Sequence, residues 1–261
     1  MILVALGAFF AVCMLPVGEH GIYEFLSWKL TFGSVDKLSK VFACIFSIMG
    51  VIGVLFALHV KNRGEQIASF FYVGGSLGVT LAGDFLSFFL FWEIMAFSSV
   101  LLVWYRKSPS SVRTGFRYLL WHVLGGLILF AGIILQYSIS HDLTIQHFPF
   151  HGWWPTDIQS LASFLILLGI IFNAAVPPFG AWLPDAYPAA TVTGAVFMSA
   201  FTTKTAVYAL IRICSGSEML IVLGVGMAIY GVVYAVLEND SRRLLAYHII
   251  SQVGYMVAGV G

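Results

Sequence analysis

Charged residues are scarce in this sequence: Asp, Glu, Lys and Arg together make up 10% of its 261 residues. Soluble domains carry about 25% charged residues. Hydrophobic residues make up 60%, and the mean hydropathy is +0.94. A soluble domain of this length could not bury so much apolar surface. The composition therefore excludes soluble enzymes, nucleic-acid-binding proteins and disordered chains, and it predicts an all-α polytopic membrane protein.

The motifs of cofactor and metal sites are also missing. There is no glycine-rich nucleotide-binding motif, and the glycines lie mostly inside apolar runs, where small residues let helices pack closely. The cysteines stand singly in such runs, so we expect small buried hydrophobes: Cys13, Cys44 and Cys214. His141, His147 and His151 are spaced by six and four residues and do not share one side of a regular element. The sequence therefore predicts neither a metal nor a cofactor in this chain.

Nine stretches are apolar enough for helices that cross a bilayer, which takes about 20 residues each. They are 1–17, 41–60, 66–82, 84–105, 113–138, 159–176, 190–212, 217–237 and 243–261. The first is short, but it lacks the basic start and the small-residue cleavage site of a signal peptide, so we expect a membrane anchor. Between the first two spans, the partial alternation in SWKLTFGSV predicts a small β-hairpin within residues 18–40.

Basic residues predict the orientation, because Lys and Arg are enriched in cytoplasmic loops. Eight basic residues lie on the side of the N-terminus: Lys61, Arg63, Arg106, Lys107, Arg113, Arg117, Arg242 and Arg243. Four lie on the opposite side: Lys29, Lys37, Lys40 and Arg212. This excess predicts a cytoplasmic N-terminus in the cytoplasmic membrane of a bacterium or archaeon. The hairpin and the segment 139–158 would then lie outside.

Four ionisable side chains in predicted spans stand out as candidates, because a charge inside a span costs at least about 2.5–3.5 kcal/mol. Glu93 has no basic residue within nine positions on either side. Lys204 is central in its span, among threonines, and a desolvated lysine can exchange a proton near neutral pH. His122 and His248 are candidates for proton relay, because imidazole titrates near neutral pH. The alternative is a hydrogen-bonded structural role for Glu93 and the two histidines, and a structural ion pair for Lys204.

A second anomaly is the stretch IIFNAAVPPFGAWLPDAY. Asn173 interrupts an apolar run, and Pro177 and Pro178 remove two backbone donors and break the helix. Broken helices at membrane depth are tolerated only where they are buried in protein or line a wet cavity, and in transporters they mark ion paths. The alternative is that a helix simply ends here, with Asp185 in a surface turn that follows.

Three stretches together resemble a known family: FFLFWEIMAFSS, VPPFGAWLPDAYPAATVTGAVFMSAFTTKTAVYALIR and DSRRLLAYHIISQVGYM. They are similar to the antiporter-like membrane subunits of complex I, of related hydrogenases and of Mrp-type cation/proton antiporters. By this resemblance, Glu93 and Lys204 match the family's glutamate and lysine of the membrane midplane. The surrounding matches are Pro178, Trp182, Leu183, Pro184, Asp185, Asp240, Arg243, Leu245, Ala246 and Tyr247.

The resemblance implies two inverted five-helix units that form half-channels for H⁺ or Na⁺. Residues 1–65 would hold N-terminal helices and the hairpin, 66–212 the first unit, and 213–261 the start of the second. Asn173 stands where the family usually has a lysine. The second unit is incomplete, which suggests a fragment, a split gene product or a reduced member. We therefore expect spans 217–237 and 243–261 to expose small and polar residues.

The function that the resemblance implies is translocation of protons, or exchange of Na⁺ for H⁺, in a larger respiratory or cation-antiport complex. Other membrane subunits and lipid would be its partners. Lys204 would be the main partner of Glu93, through water held near Asn173, with His122 as a second donor. The alternative is a non-pumping scaffold that holds partner subunits. A reading as a quinone-binding redox enzyme has no residue-level support.

Overall fold

The computed structural model describes residues 1–25 and 28–261. In those residues, two strands and eleven α-helices follow one another along the chain. They are α1 (Ile2–Met14), β1 (Gly18–Phe25), β2 (Trp28–Val35), α2 (Lys37–Phe56), α3 (Arg63–Leu81), α4 (Phe85–Trp104), α5 (Pro109–Ser140), α6 (Ile158–Ala174), α7 (Trp182–Ala189), α8 (Val192–Ala200), α9 (Thr202–Cys214), α10 (Glu218–Leu237) and α11 (Ser241–Val260). The predicted helical membrane fold is confirmed.

Each predicted span coincides with a helix or a pair of helices. Within residues 1–25 and 28–261, six helical segments are long and apolar enough to cross a membrane: Lys37–His59, Phe85–Trp104, Pro109–Ser140, Ile158–Ala189, Val192–Cys214 and Glu218–Leu237. The helices α1, α3 and α11 fall outside that set, so the count of nine stays a prediction. The start of α2 at Lys37, rather than at residue 41, follows from a capping box in which Asp36 and Ser39 bond each other's backbone N–H.

The predicted hairpin is confirmed. The strands β1 and β2 pair antiparallel, with Gly18 opposite Val35, while the residues at its tip lie outside the described part of the chain. Asp84 attaches the hairpin to the bundle. Its carboxylate, in a residue that is 2% exposed, accepts from the N–H of Thr31 at 2.7 Å and from the N–H of Ser87 at 2.7 Å. The tight turn between α3 and α4 is therefore also the docking point of the hairpin.

The connections between helices form two sets. On the hairpin face, the hairpin lies near the segment 141–157, in which His147 Nε2 lies 2.8 Å from the Ser215 carbonyl. On the opposite face, which we call the arginine face, Arg242 donates to the Pro188 carbonyl at 3.0 Å, and Arg106 donates to the same oxygen. The side of the membrane on which each face lies stays a prediction.

Glycines bring α10 and α11 into close contact, as the small-residue pattern predicts. A Cβ atom at Gly224 would lie 2.3 Å from the backbone nitrogen of Ala258. The outer surface of α10 is apolar and includes Val225, Ile229 and Val233, so the expectation of a small and polar face is wrong for α10. On α11 the exposed residues include His248, Gln252 and Gly259.

The expectation of buried cysteines holds for one of the three. Cys214 is buried within α9, Cys44 is partly buried on α2, and Cys13 is exposed on α1. In α1 only Ala5 and Val12 are buried. This helix lies at the edge of the bundle, so a residue in an apolar run there faces outward rather than into the core.

Candidate functional site

Glu93 lies at the middle of α4, between the bundle interior and its outer surface. Its Oε1 atom is enclosed and has no hydrogen-bond partner among the described residues. It packs against α5, where a Cβ atom at Gly126 would lie 2.1 Å from Oε1. On its other side Glu93 lines a groove of about 640 Å³ between α3 and α4, which extends to Tyr105 near the arginine face. The absence of a side chain at Gly126 thus leaves the space that the carboxyl group occupies.

His122 and Asn173 form a polar pair inside the bundle. His122 is 1% exposed and Asn173 is 0% exposed, and the amide of Asn173 lies beside the imidazole ring. Within the described structure, none of the side-chain nitrogen and oxygen atoms of either residue completes a hydrogen bond. The His122 ring packs with centroid distances of 4.1 Å to Tyr118 and 4.7 Å to Trp182. Buried polar groups without partners are rare and mark functional or hydrated positions.

The predicted helix break after Asn173 is confirmed. The helix α6 ends at Ala174, and Ala175 takes a left-handed conformation with φ of 59°. The peptide bond between Pro177 and Pro178 is cis. Beyond it, the indole N–H of Trp182 donates to the Phe172 carbonyl at 3.0 Å. This bond satisfies a carbonyl that the break frees, so the break is buried in protein.

A second break interrupts the span 190–212, which the sequence predicts as one helix. Phe201, with φ of −111° and ψ of −66°, separates α8 from α9. Two tyrosine hydroxyls satisfy the backbone groups on either side of it. Tyr72 accepts from the Thr202 N–H at 2.9 Å, and Tyr187 donates to the Met198 carbonyl at 2.8 Å. In a continuous helix these two backbone groups would bond each other.

Lys204 lies just beyond this second break. Its ammonium donates to the Ser199 carbonyl at 2.8 Å, another group near the break. The side chain lines a groove of about 780 Å³ between α2, α9 and α11, with Phe42 and Tyr255 among its walls. No ion pair joins Glu93 to Lys204 in the part of the chain that the structure describes. The two residues line separate grooves, and a link through water stays a prediction.

The remaining predicted site residues lie at the periphery. His248 is exposed on the outer surface of α11, and the structure does not bring it to the other candidates. Asp185, in α7, pairs with Arg117 on the arginine face at 3.5 Å. Asp240 caps α11 by accepting from the N–H groups of Arg242 and Arg243. Asp185 and Asp240 therefore have structural partners.

Sequence analysis missed Glu65, a buried acid in the first turn of α3. It is 7% exposed, and its Oε1 accepts from the hydroxyls of Thr191 at 2.6 Å and Thr193 at 2.5 Å. The predicted span began one residue later, at position 66. A helical periodicity count started at Glu65 would have placed it on one face with Ser69 and Tyr72.

Comparisons with known proteins show the family of the chain. Residues 82–261 match the transmembrane family of NADH:quinone oxidoreductase and Mrp antiporters. The chain is 31% identical over 92% of its length to a Na⁺/H⁺ antiporter subunit A1 of Staphylococcus aureus, of which it covers 32%. The chain thus spans about a third of the length of the curated relatives it matches.

Solved structures give the same result for the fold. A chain of the Mrp complex from a Dietzia species is 25% identical, with a TM-score of 0.78, and the match covers 99% of this chain and 51% of that one. A chain of respiratory complex I from Thermus thermophilus is 21% identical, with a TM-score of 0.81, covering 98% of this chain and 56% of that one. The protein belongs to the NADH:quinone oxidoreductase/Mrp antiporter family of membrane proteins.

Proposed function

We propose that this chain moves protons as one membrane subunit of a cation/proton antiporter or respiratory complex. The observation that carries the proposal is the carboxyl group of Glu93, which has an enclosed oxygen without a partner. An ionisable group at membrane depth is costly and is retained where it serves transport. Glu93 packs against Gly126 of α5, about one turn after His122, and two broken helices follow along the chain.

In this proposal Glu93 is the proton acceptor. The groove between α3 and α4 is lined mainly by apolar side chains that face outward, so protons would reach the carboxyl group from the bundle side instead. The open polar atoms of His122 and Asn173 would bind water on the bundle side, because an imidazole and an amide can both donate and accept. The positively charged ammonium of Lys204 would move into or out of the groove between α2, α9 and α11 as the ion moves. Other membrane subunits would be partners, as in the multi-subunit complexes named above.

One observation favours a second candidate, a scaffold that does not pump. Glu93 and Lys204 line separate grooves and do not form an ion pair in the described residues. A scaffold requires neither group to exchange protons. The two candidates therefore differ in whether ion movement depends on Glu93.

The test compares Glu93→Gln with the parent chain in inverted membrane vesicles that contain the assembled complex. A pH-sensitive dye would report proton movement after a Na⁺ pulse. The substitution keeps the shape of the side chain and removes its titration, so we expect proton movement to be abolished while assembly is unchanged. Glu218→Gln, at an exposed carboxylate on the hairpin face, is the matched control. Normal proton movement with Glu93→Gln would favour the scaffold.

A further inference from the structure

Hydroxyl side chains line the contact between α3 and α9, from the break at Phe201 to the hairpin face. Those on α3 are spaced by four residues and those on α9 by three. The six residues are Tyr72, Ser76 and Thr80 on α3, and Thr202, Thr205 and Tyr208 on α9. Each is at most 1% exposed. We call this set the hydroxyl column.

Hydrogen bonds join the two helices at each level of the column. The hydroxyls of Tyr72 and Thr202 lie 2.5 Å apart. One turn further, the hydroxyls of Ser76 and Thr205 lie 2.6 Å apart. At the next turn, the Tyr208 hydroxyl donates to the backbone carbonyl of Thr80 at 2.6 Å. The column is therefore polar and buried over its whole length.

The inner end of the column meets the candidate site. The hydroxyl of Tyr118 lies 2.8 Å from that of Ser99 on α4 and beside the hydroxyl of Thr202. The Tyr118 ring packs on His122 at a centroid distance of 4.1 Å. The inner end thus lies next to the imidazole, with which it makes a ring contact through Tyr118 but no hydrogen bond among the described residues.

The outer end reaches solvent on the hairpin face. Arg212 donates to the Tyr208 hydroxyl at 3.0 Å and pairs with Asp36 at 2.8 Å. The side chain of Arg212 is 14% exposed, whereas that of Asp36 is 48% exposed. An ion pair therefore closes the column at the point where it meets water.

The spacing of the levels suits proton transfer. Four residues on α3 rise about 6 Å and three on α9 about 4.5 Å, which brackets twice the usual O–H···O distance of 2.7–2.8 Å. A proton path along the column therefore requires one water molecule in each gap. Hydroxyls donate and accept at once, so they can pass a proton. None of the column residues carries a carboxylate that would balance the charge of a bound cation.

We propose that the hydroxyl column is a proton path between His122 and the hairpin face, with the Arg212–Asp36 pair at its mouth. This inference rests on the proposed function and deepens it, because it assigns protons rather than Na⁺ to this route. The competing explanation is that the hydroxyls only hold α3 and α9 together, as polar side chains do between membrane helices.

The test uses Thr205→Val and Thr205→Ser in vesicles with the assembled complex. Valine has the shape of threonine without its hydroxyl, whereas serine keeps the hydroxyl. Positioned proton-transfer groups contribute about 10²–10⁴-fold to rates, so we expect Thr205→Val to slow proton movement at least about tenfold and Thr205→Ser to retain it. Tyr208→Phe repeats the test at the next level and applies if Thr205→Val does not assemble. Ser47→Ala, a buried hydroxyl on α2 away from the column, is the control.

Glu93→Gln is measured alongside and separates this inference from the proposed function. If Glu93→Gln is inactive while both Thr205→Val and Tyr208→Phe move protons normally, the column is wrong and the proposed function stands. Equal losses in Thr205→Val and Thr205→Ser would assign the effect to packing and also overturn the column. Normal proton movement with Glu93→Gln would remove the function on which the column rests.

Discussion

Replacing Gly126 by alanine should displace the carboxyl group of Glu93. The new Cβ atom would lie 2.1 Å from Oε1, whereas ordinary van der Waals contact begins at 3.4 Å, so the oxygen must move by about 1.3 Å. Where geometry controls a reaction, a misplacement of about 1 Å can cost about 10²-fold in rate. We therefore expect Gly126→Ala to reduce proton movement by about one to two orders of magnitude in vesicles that contain the assembled complex.

The same substitution should leave assembly intact. The atom that must move is the end of a flexible side chain, so the clash is relieved by rotation. In water, alanine is also about 0.8–1.0 kcal/mol more favourable than glycine inside a helix. Gly74→Ala on α3 is the matched control, since a Cβ atom there meets nothing within 4 Å. If Gly126→Ala moves protons as fast as Gly74→Ala, the position of the Glu93 carboxyl does not matter and the reasoning fails.

Two further predictions concern the hairpin face. In a chain whose native cysteines are replaced by serine, Glu24→Cys should react with an impermeant thiol reagent added outside intact cells, and Asn239→Cys should not; the reverse pattern would refute the orientation. Burial raises the pKa of Asp36, but the Ser39 N–H and the Arg212 guanidinium outweigh burial and hold the pKa below its usual value of 3.8. The stabilisation is then present at neutral pH and lost as pH falls through the lowered pKa, below about 4. The difference in Tm between the parent and Asp36→Asn, which keeps the helix cap, should therefore vanish at low pH. A difference that persists there would contradict this assignment.

Hydropathy and local signals sufficed to predict much of this molecule. Apolar runs located the helices because a bilayer requires all backbone groups to bond internally. The break after Asn173 was visible because two prolines cannot continue a helix. Glu93 and Lys204 stood out because charges are rare at membrane depth. Each of these signals lies within a few residues of the feature that it predicts.

The break at Phe201 could not be predicted, because its cause lies far away in the sequence. No proline or glycine occurs between Ala195 and Arg212. The break is stabilised by the hydroxyl of Tyr72, which is 130 residues before Thr202. The hydroxyl column was missed for the same reason. Serine, threonine and tyrosine are ordinary in apolar spans, and only the packing of α3 on α9 brings them together.

In the proposed function, the break would couple Lys204 to the hydroxyl column without direct contact. Thr202 and Lys204 share the first turn of α9, but Thr202 bonds Tyr72 in the column while Lys204 lines the groove beside α2 and α11. The ammonium holds the Ser199 carbonyl, on the other side of Phe201. If Lys204 released that carbonyl to pair with a negative charge in its groove, the first turn of α9 would lose one of the bonds that position it. The hydrogen bond between Thr202 and Tyr72 would then be free to change, and the first turn of α9 would link the two sites.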